Sequence, residues 1–400
     1  MMKLRRTQPQ PIALDVGSDG VKMLQLAATP AGLRVAAAAK CPRAGVGGGG
    51  RGGVPQFAGA LRQMLDETRF AGRNVVAALP QELIHLRTLR LAPRPGRDLP
   101  TAVRSAAAEL FPFDLSRAAV RFLDAGMVRQ GADERREIIC AAACDHDVAA
   151  FLAQLHEAGL QAQSLQPPAC AAYRCLELFP NPPEPEGETV VRALIEVGAT
   201  HSTVVIGRDL EIGFVKTIDI GGRRLCEAVG RKLGITPDEA GELRRRLASV
   251  PVNSGPRRDP VAGAAFDATR ALLEELARDV VLCFRYHAVT FRGKRVGGVT
   301  LLGGEAADPH LRAALAAVLP VTPDVGRPLH AIDASAMKPS DRQGATGEWA
   351  VAVGLALSAA PSAARVCATE NSAIRNPAPP RADMDMAGSA ARELATSSKE

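Results

Sequence analysis

The sequence predicts an α/β protein of two similar lobes facing each other across a cleft, with an α+β unit inserted in the first lobe. Three observations carry this reading. An apolar strand, Ile12-Ala-Leu-Asp15, ends on a carboxylate, turns at once through Gly17-Ser18-Asp19-Gly20, and continues as a second strand bearing Lys22. The same design recurs at 192–206: an apolar strand ends on Glu196, a small polar turn follows through Gly198, Ala199, Thr200 and His201, and a β-branched strand resumes. Between the two halves lies a Pro- and acid-rich stretch, 180–187, of linker character.

Taken in order, residues 12–40 read as a three-stranded meander. Gly45-Val-Gly47-Gly-Gly-Gly50 satisfies G-x-G-x-x-G, but no Lys-Ser/Thr follows and no acid is placed to meet a ribose, so 45–53 is read as a flexible surface loop. Phe57, Leu61, Met64 and Leu65 share one helix face. Residues 74–79 form a buried strand stopped by Pro80. The insert is expected over 82–160. It comprises a strand at 83–91, a helix carrying Leu99, Val103 and Leu110, strands at 119–127 and 136–142, and a helix capped by Asp145 with Val148, Leu152 and Leu155 inward. The chain returns to lobe one over 161–186, so that 1–81 is that lobe's first part.

Lobe two is expected over 187–358. Its meander runs on through 214–220 into a helix with Leu225, Val229 and Leu233. Thr236-Pro-Asp-Glu239 is a capping box, and Arg244-Arg-Arg246 reads as a solvated helix face. The longest helix, 267–290, carries Leu272, Leu273, Leu276, Val280 and Phe284 as core. A strand at 299–302 runs into Gly303-Gly304, Asp308-Pro309 starts a helix, 331–347 is a loop, and 349–357 is a last apolar helix. The tail, 359–400, has the composition of a disordered segment.

Composition narrows the function. With 46% hydrophobic and only 4% aromatic residues, a large core must rest on Leu, Val and Ala. The net charge of +6 is spread along the chain without a basic block interleaved with aromatics, which excludes a nucleic-acid interface. The eight cysteines include no C-x-x-C pair and lie largely in apolar runs, as buried thiols of a reducing compartment do. The basic start, Met1 to Arg6, leads into an apolar run broken by Asp15, and no uncharged stretch reaches membrane-spanning length, so a cytosolic protein with no direct membrane span is expected.

Taken singly, each turn glycine only tightens a turn. As an ordered set they compose a nucleotide site. Backbone N–H groups and hydroxyls of such turns suit phosphate oxygens. Gly17, Ser18 and Asp19 would wrap one side of a polyphosphate, with Lys22 adding charge, and Gly198, Ala199, Thr200 and His201 would wrap the other. For His201 a solvent-facing turn position is the plainer reading. Gly303 and Gly304 would let the backbone approach purine or ribose closely. Asp15 and Glu196 would face each other over Mg²⁺, largely through water.

The segment Asp15-Val-Gly-Ser-Asp-Gly-Val-Lys22 resembles the first phosphate motif of the PilM family, actin-like proteins of type IV pilus inner-membrane assembly related to FtsA. The match continues in order through Phe111-Pro-Phe113, Leu302-Gly-Gly-Glu-Ala306 and Ala352-Val-Gly354-Leu-Ala-Leu357, covering about residues 10–358. The resemblance implies a bilobed actin-like/Hsp70-type ATPase fold with a 1C-type insert, and ATP and Mg²⁺ as cofactors. It also implies a scaffold role, capturing the cytoplasmic N-terminal peptide of a PilN-like bitopic inner-membrane protein in a groove of lobe one near the insert, which would hold the chain peripheral to that membrane. Self-association is compatible with the fold. Two departures bear on turnover: Glu196 stands where the family's second phosphate motif begins with Asp, and Leu165-Gln-Pro-Pro-Ala169 replaces an acid-bearing return. No residue is assigned to orient an attacking water, so no catalytic residue is named. The alternatives are an ATP-hydrolysing enzyme or small-molecule kinase of the same fold, and a GspL-like type II secretion component; the last carries a membrane helix that nothing after Leu357 supplies.

Overall fold

In the computed structural model, residues 10–42, 56–93, 98–180, 190–248, 260–291, 295–342 and 346–360 are described. The Gly45–Gly53 loop, nearly all of the Pro/acid linker, Cys367 and nearly all of the tail lie outside them.

The first sheet is built from β1 (Ile12–Val16), β2 (Gly20–Thr29) and β3 (Gly32–Pro42), followed by α1 (Ala58–Glu67) and β4 (Asn74–Ala78). The insert then contributes β5 (His85–Leu91), α2 (Leu99–Ala107), β6 (Ala118–Gln130) and β7 (Asp133–Cys144). After α3 (Asp145–Glu157), β8 (Gln161–Gln166) re-enters the first sheet and leads into α4 (Pro168–Arg174). The second half follows as β9 (Val191–Val197), β10 (Ser202–Arg208), β11 (Glu211–Ile218), α5 (Gly222–Leu233), α6 (Pro237–Ala248) and α7 (Pro260–Thr290). It closes with β12 (Val296–Leu302), α8 (Pro309–Ala316), β13 (Asp324–Val325), α9 (Pro339–Arg342) and α10 (Ala350–Ala359).

The duplication extends from the hairpins to whole sheets. The first sheet runs β3-β2-β1-β4-β8 and the second β11-β10-β9-β12-β13. In each, three antiparallel strands are continued by two parallel ones. Both sheets are covered on both faces, which is why β1 is buried at every position rather than alternating. One shared core lies between the lobes. There α4 and α10 pack against Ala13 and Leu24 of the first sheet and Leu194 and Val205 of the second. α10 is apolar on all sides, and every residue from Ala350 to Leu357 is buried. Gly354 lets it lie directly on α4, since a Cβ there would run into the Ala171 carbonyl.

The outer face of the first sheet packs Ile12, Leu14 and Val16 against α1 and α3, and the outer face of the second packs Ala193, Ile195 and Val197 against α5, α7 and α8. The insert has its own small core around Val103, Phe111, Ile138 and Cys140.

Several local expectations change. The last helix assigned to the insert, α3, joins the first lobe's core instead: the Phe151 ring stands 5.0 Å from Phe57. Its N-cap is Cys144, with Asp145 in the first turn, and Leu152 is exposed while Phe151 takes the inward position. Leu110 falls beyond the end of α2 and is exposed. The capping box of α6 forms as read, with Thr236 N–H donating to Glu239 Oε2 at 2.8 Å and Glu239 N–H returning to Thr236 Oγ1 at 3.3 Å.

Candidate nucleotide cleft between the lobes

Strand parity explains why the two acids meet. Side chains alternate faces along a strand. Ala13 and Leu194 point into the shared core between the lobes, so Asp15 and Glu196, two positions on, point to that same side. Both strands end there, where the shared core gives way to a cleft lined by Asp15, Gly17, Ser18, Asp19, Lys22, Glu196, Gly198, Ala199, His201, Gly303 and Gly304. Every residue read from the sequence as a site residue lies on this wall or, in the case of Thr200, reaches into it.

The two turns share one geometry. Gly17 N–H donates to the Gly20 carbonyl at 2.9 Å, and Gly198 N–H to the His201 carbonyl at 3.0 Å. They touch across the cleft, where Thr200 Oγ1 donates to Ser18 Oγ at 3.0 Å. The second turn also seats the start of α5: Gly222 N–H donates to the Gly198 carbonyl at 2.9 Å and Arg223 N–H to the Ala199 carbonyl at 2.7 Å. Gly221 permits this approach, as a Cβ there would enter the 199–201 backbone.

Lys22 lies opposite Asp15 across the hairpin, its Nζ 3.7 Å from Oδ2. Burial raises the Asp15 pKa, Lys22 partly offsets this, and the Glu348 charge adds to it. Glu196 is pushed up to about 7, first by burial and then by the Asp15 charge, against the pull of Lys22. His201 is not a solvent-facing turn residue. It is half-buried in the cleft wall with Nδ1 2.9 Å from Thr200 Oγ1. Burial holds its pKa below the ordinary value, opposed by the charges of Glu82 and Asp219.

The glycines after β12 differ from one another. Gly303 has φ +93° and packs tightly on the Val197 backbone, its N–H donating to the Gly347 carbonyl at 3.0 Å. Its glycine character serves the protein's own close packing. Gly304 borders open space. Arg244 is also reassigned: rather than facing solvent with Arg245 and Arg246, its side chain is nine-tenths buried and donates to Glu305 Oε2 at 2.6 Å and Asp308 Oδ2 at 2.9 Å.

Sequence reading missed Glu82, Glu305 and Glu348 as cleft residues. Glu305 sits in the quoted Gly-Gly-Glu-Ala run, but nothing in the order of residues marks Glu348, which lies in a short 3-10 helix, Thr346–Trp349, just before α10 and pairs with Lys40 at 3.0 Å. The carboxylates of Asp15, Asp19, Glu82, Glu196, Glu305 and Glu348 outnumber the single lysine. The cavity is small, about 120 Å³, below the roughly 300–1,000 Å³ of a typical ligand site. Among the described residues no cluster of three or more His, Cys, Asp or Glu is arranged to hold a metal by itself. No described helix is long and apolar enough to cross a membrane.

Residues 13–360 match the family described as type IV pilus assembly protein PilM. The chain belongs to that family. Its fold is the actin-like one: the solved structure of a PilM-PilN type IV pilus biogenesis complex superposes with a TM-score of 0.71 at 24% identity, over 88% of this chain and 100% of that one. More distant similarities are to the ethanolamine utilization protein EutJ from Carboxydothermus hydrogenoformans, with TM-score 0.47 and 14% identity over 87% of this chain and 89% of that one. Component A of (R)-2-hydroxyglutaryl-CoA dehydratase from Acidaminococcus fermentans gives TM-score 0.42 and 14% identity, over 90% of this chain and 99% of that one.

Proposed function

We propose that this member of the pilus-assembly family is a nucleotide-controlled scaffold. It binds Mg·ATP between its two hairpin turns and holds the cytosolic N-terminal peptide of a PilN-like bitopic protein, which stations it at the inner membrane. The observation that carries the nucleotide half is the meeting of two duplicated turns at Ser18 and Thr200 over two carboxylates from duplicated strands. The donors fit the ligand. Turn N–H groups and hydroxyls match phosphate oxygens, and hard carboxylate oxygens on Asp15 and Glu196 match Mg²⁺ with its waters. A cleft so rich in acids repels a bare polyphosphate, so the nucleotide enters as its metal complex.

The Ser18–Thr200 bond joins the two turns across the cleft, so a nucleotide that seats its phosphates between them would part the lobes and open that bond. A ligand with higher affinity for one degree of closure sets the angle between the lobes, and this is how binding would reach a partner surface. The partner half rests on family membership and on the relative solved as a PilM-PilN complex.

A second reading, turnover of the nucleotide, is favoured by the acids of the cleft beyond the Asp15–Glu196 pair: Glu82, Glu305 and Glu348 also line it, and a carboxylate can accept a proton from an attacking water.

The deciding experiment is calorimetric titration of the purified chain with ATP, in Mg²⁺ and again in EDTA, followed by assay of the same sample for released phosphate. Saturable, Mg²⁺-dependent binding without phosphate release is the expected result. Steady release would favour the second reading, and no heat in either buffer would overturn the nucleotide site.

A further inference from the structure

We propose that the insert is a lever latched to lobe two at Tyr286, so that parting of the lobes swings β6 and β7 against α3 and reshapes the joint between insert and lobe one. The inference rests on the reading of the cleft as a nucleotide site, and it names the element that would carry the state of the cleft to the partner surface.

The insert is built to move as a unit. Its three-stranded sheet, β5-β7-β6, is separate from both large sheets, and it has its own core around Val103, Phe111, Ile138 and Cys140. Its middle strand reaches both lobes. Toward the C-terminal end of β7, Ala143 belongs to the lobe-one core with Phe151 and Leu155 of α3. Farther back on the same strand, about 20 Å away at the usual rise per residue, Glu137 accepts from Tyr286 of α7 in lobe two. A strand seated at one end and carried at the other pivots about its seat.

The latch has defined atoms. Tyr286 Oη donates to Glu137 Oε1 at 3.0 Å and accepts from Arg90 Nη2 at 3.3 Å, so one hydroxyl makes both bonds across the boundary. Arg90 Nε and Glu137 Oε2 are joined at 2.7 Å within the insert, and this pair travels as a block. On the lobe-two side the Tyr286 ring rests against Phe214 of β11, with centroids 5.4 Å apart, and β6 and β7 pack on that same strand. Slippage here is disfavoured. Glu137 is almost wholly buried, and pulling it from the tyrosine leaves a buried carboxylate short of a donor. The seat in lobe one is apolar, made by Leu83, Ile84 and Ala143. Apolar contact has no preferred direction, so it tolerates a change of angle that the latch does not.

The test follows backbone hydrogen exchange in the full chain, free and saturated with Mg·ATP. The natural sequence is compared with Tyr286→Phe, Tyr286→Ala and, as a control on the exposed face of α7, Arg270→Ala. In the natural chain ATP is expected to shift exchange in β6, β7 and α3 as well as at the two turns. Tyr286→Phe is expected to shrink the shift in the insert and Tyr286→Ala to abolish it, with the shift at the turns retained. Arg270→Ala is expected to respond as the natural chain does.

A contact that only stabilises the insert would speed exchange in β6 and β7 of the Tyr286 variants equally with and without ATP. The shift caused by ATP would then stay intact, and that result overturns the inference. So does ATP binding with no shift in the insert of the natural chain, which leaves the nucleotide site standing, and so does an equal loss in Arg270→Ala. Failure of the natural chain to bind ATP overturns the nucleotide reading and this inference with it. Thermal unfolding of each variant separates a lost latch from a lost fold.

Discussion

Ser18 and Thr200, 182 positions apart in the chain, are joined hydroxyl to hydroxyl at 3.0 Å across the cleft. Each sits at the same point of a duplicated hairpin, so the bond lies where the two halves meet. Thr200 Oγ1 is also 2.9 Å from His201 Nδ1, which ties the bond to the second wall. Thr200→Val keeps the shape and removes the hydroxyl. It is expected to lower stability by about 1 kcal/mol, the usual value of one such bond. Urea unfolding measures this, and an unchanged midpoint would show that the bond does not hold the lobes together.

Glu196 makes stability depend on pH in a stated direction. Its carboxyl titrates near the ordinary 4.5 in the unfolded chain and at about 7 in the fold. The folded state therefore binds the proton more tightly, and stability is lost as pH rises from about 4.5 to 7. Glu196→Gln stays neutral throughout. At pH 8 it should be more stable than the natural chain by about 2 kcal/mol, allowing for the partial exposure of the site. The gap should close toward pH 4.5. Denaturant midpoints across that range check it, and a constant gap would count against the shifted carboxyl.

A buried acid is one of the ties between the insert and lobe two, beside the packing of β6 and β7 on β11. Glu137 is almost wholly buried on β7 and accepts from Arg90 Nε at 2.7 Å and from Tyr286 Oη of α7 at 3.0 Å. Arg90→Ala leaves that carboxylate with the tyrosine alone and should cost about 3 kcal/mol. Tyr286→Phe keeps the ion pair and its contact with Phe214 and should cost about 1 kcal/mol. It should also loosen the insert from lobe two, visible as faster amide exchange in β11 and α7. Equal losses from the two variants would contradict the assigned ranking.

Gly354 sets the distance between α10 and α4. Gly354→Ala places a methyl against the Ala171 carbonyl, and neither helix can yield without disturbing the core shared by both lobes. The expected loss is about 1–3 kcal/mol, in the range of overpacked cores, even though alanine is the better helix former. A gain in melting temperature would show that the helices separate freely.

Much of this was legible from local patterns. A strand that ends on a carboxylate before a Gly/Ser/Asp turn is a feature of neighbouring residues, and so is its repetition. The lobes, the meanders, the capping box at Thr236 and the turn residues of the cleft could therefore be read directly. The pairing of Asp15 with Lys22 was not read from the sequence, where Lys22 only added charge to the phosphate side; the register of the hairpin sets it.

Other features depended on residues far apart in the chain. Arg244 looks like any arginine of a polar helix until the fold brings Glu305 and Asp308 to it, and burial then turns a surface charge into a clamp. Helix α3 follows the insert in sequence, yet Phe151 finds its partner Phe57 in lobe one. Glu348 enters the cleft on the short 3-10 helix before α10, where it meets Lys40, more than three hundred residues earlier.

The sequence by itself determined the duplicated hairpins, the two lobes and the acids at their strand ends, since all of these follow from alternation and turn chemistry over a few residues. Only the tertiary structure decided how those acids behave. The pKa of Glu196 and the clamping of Glu305 arise from burial and from charges on remote segments, and no local pattern encodes either.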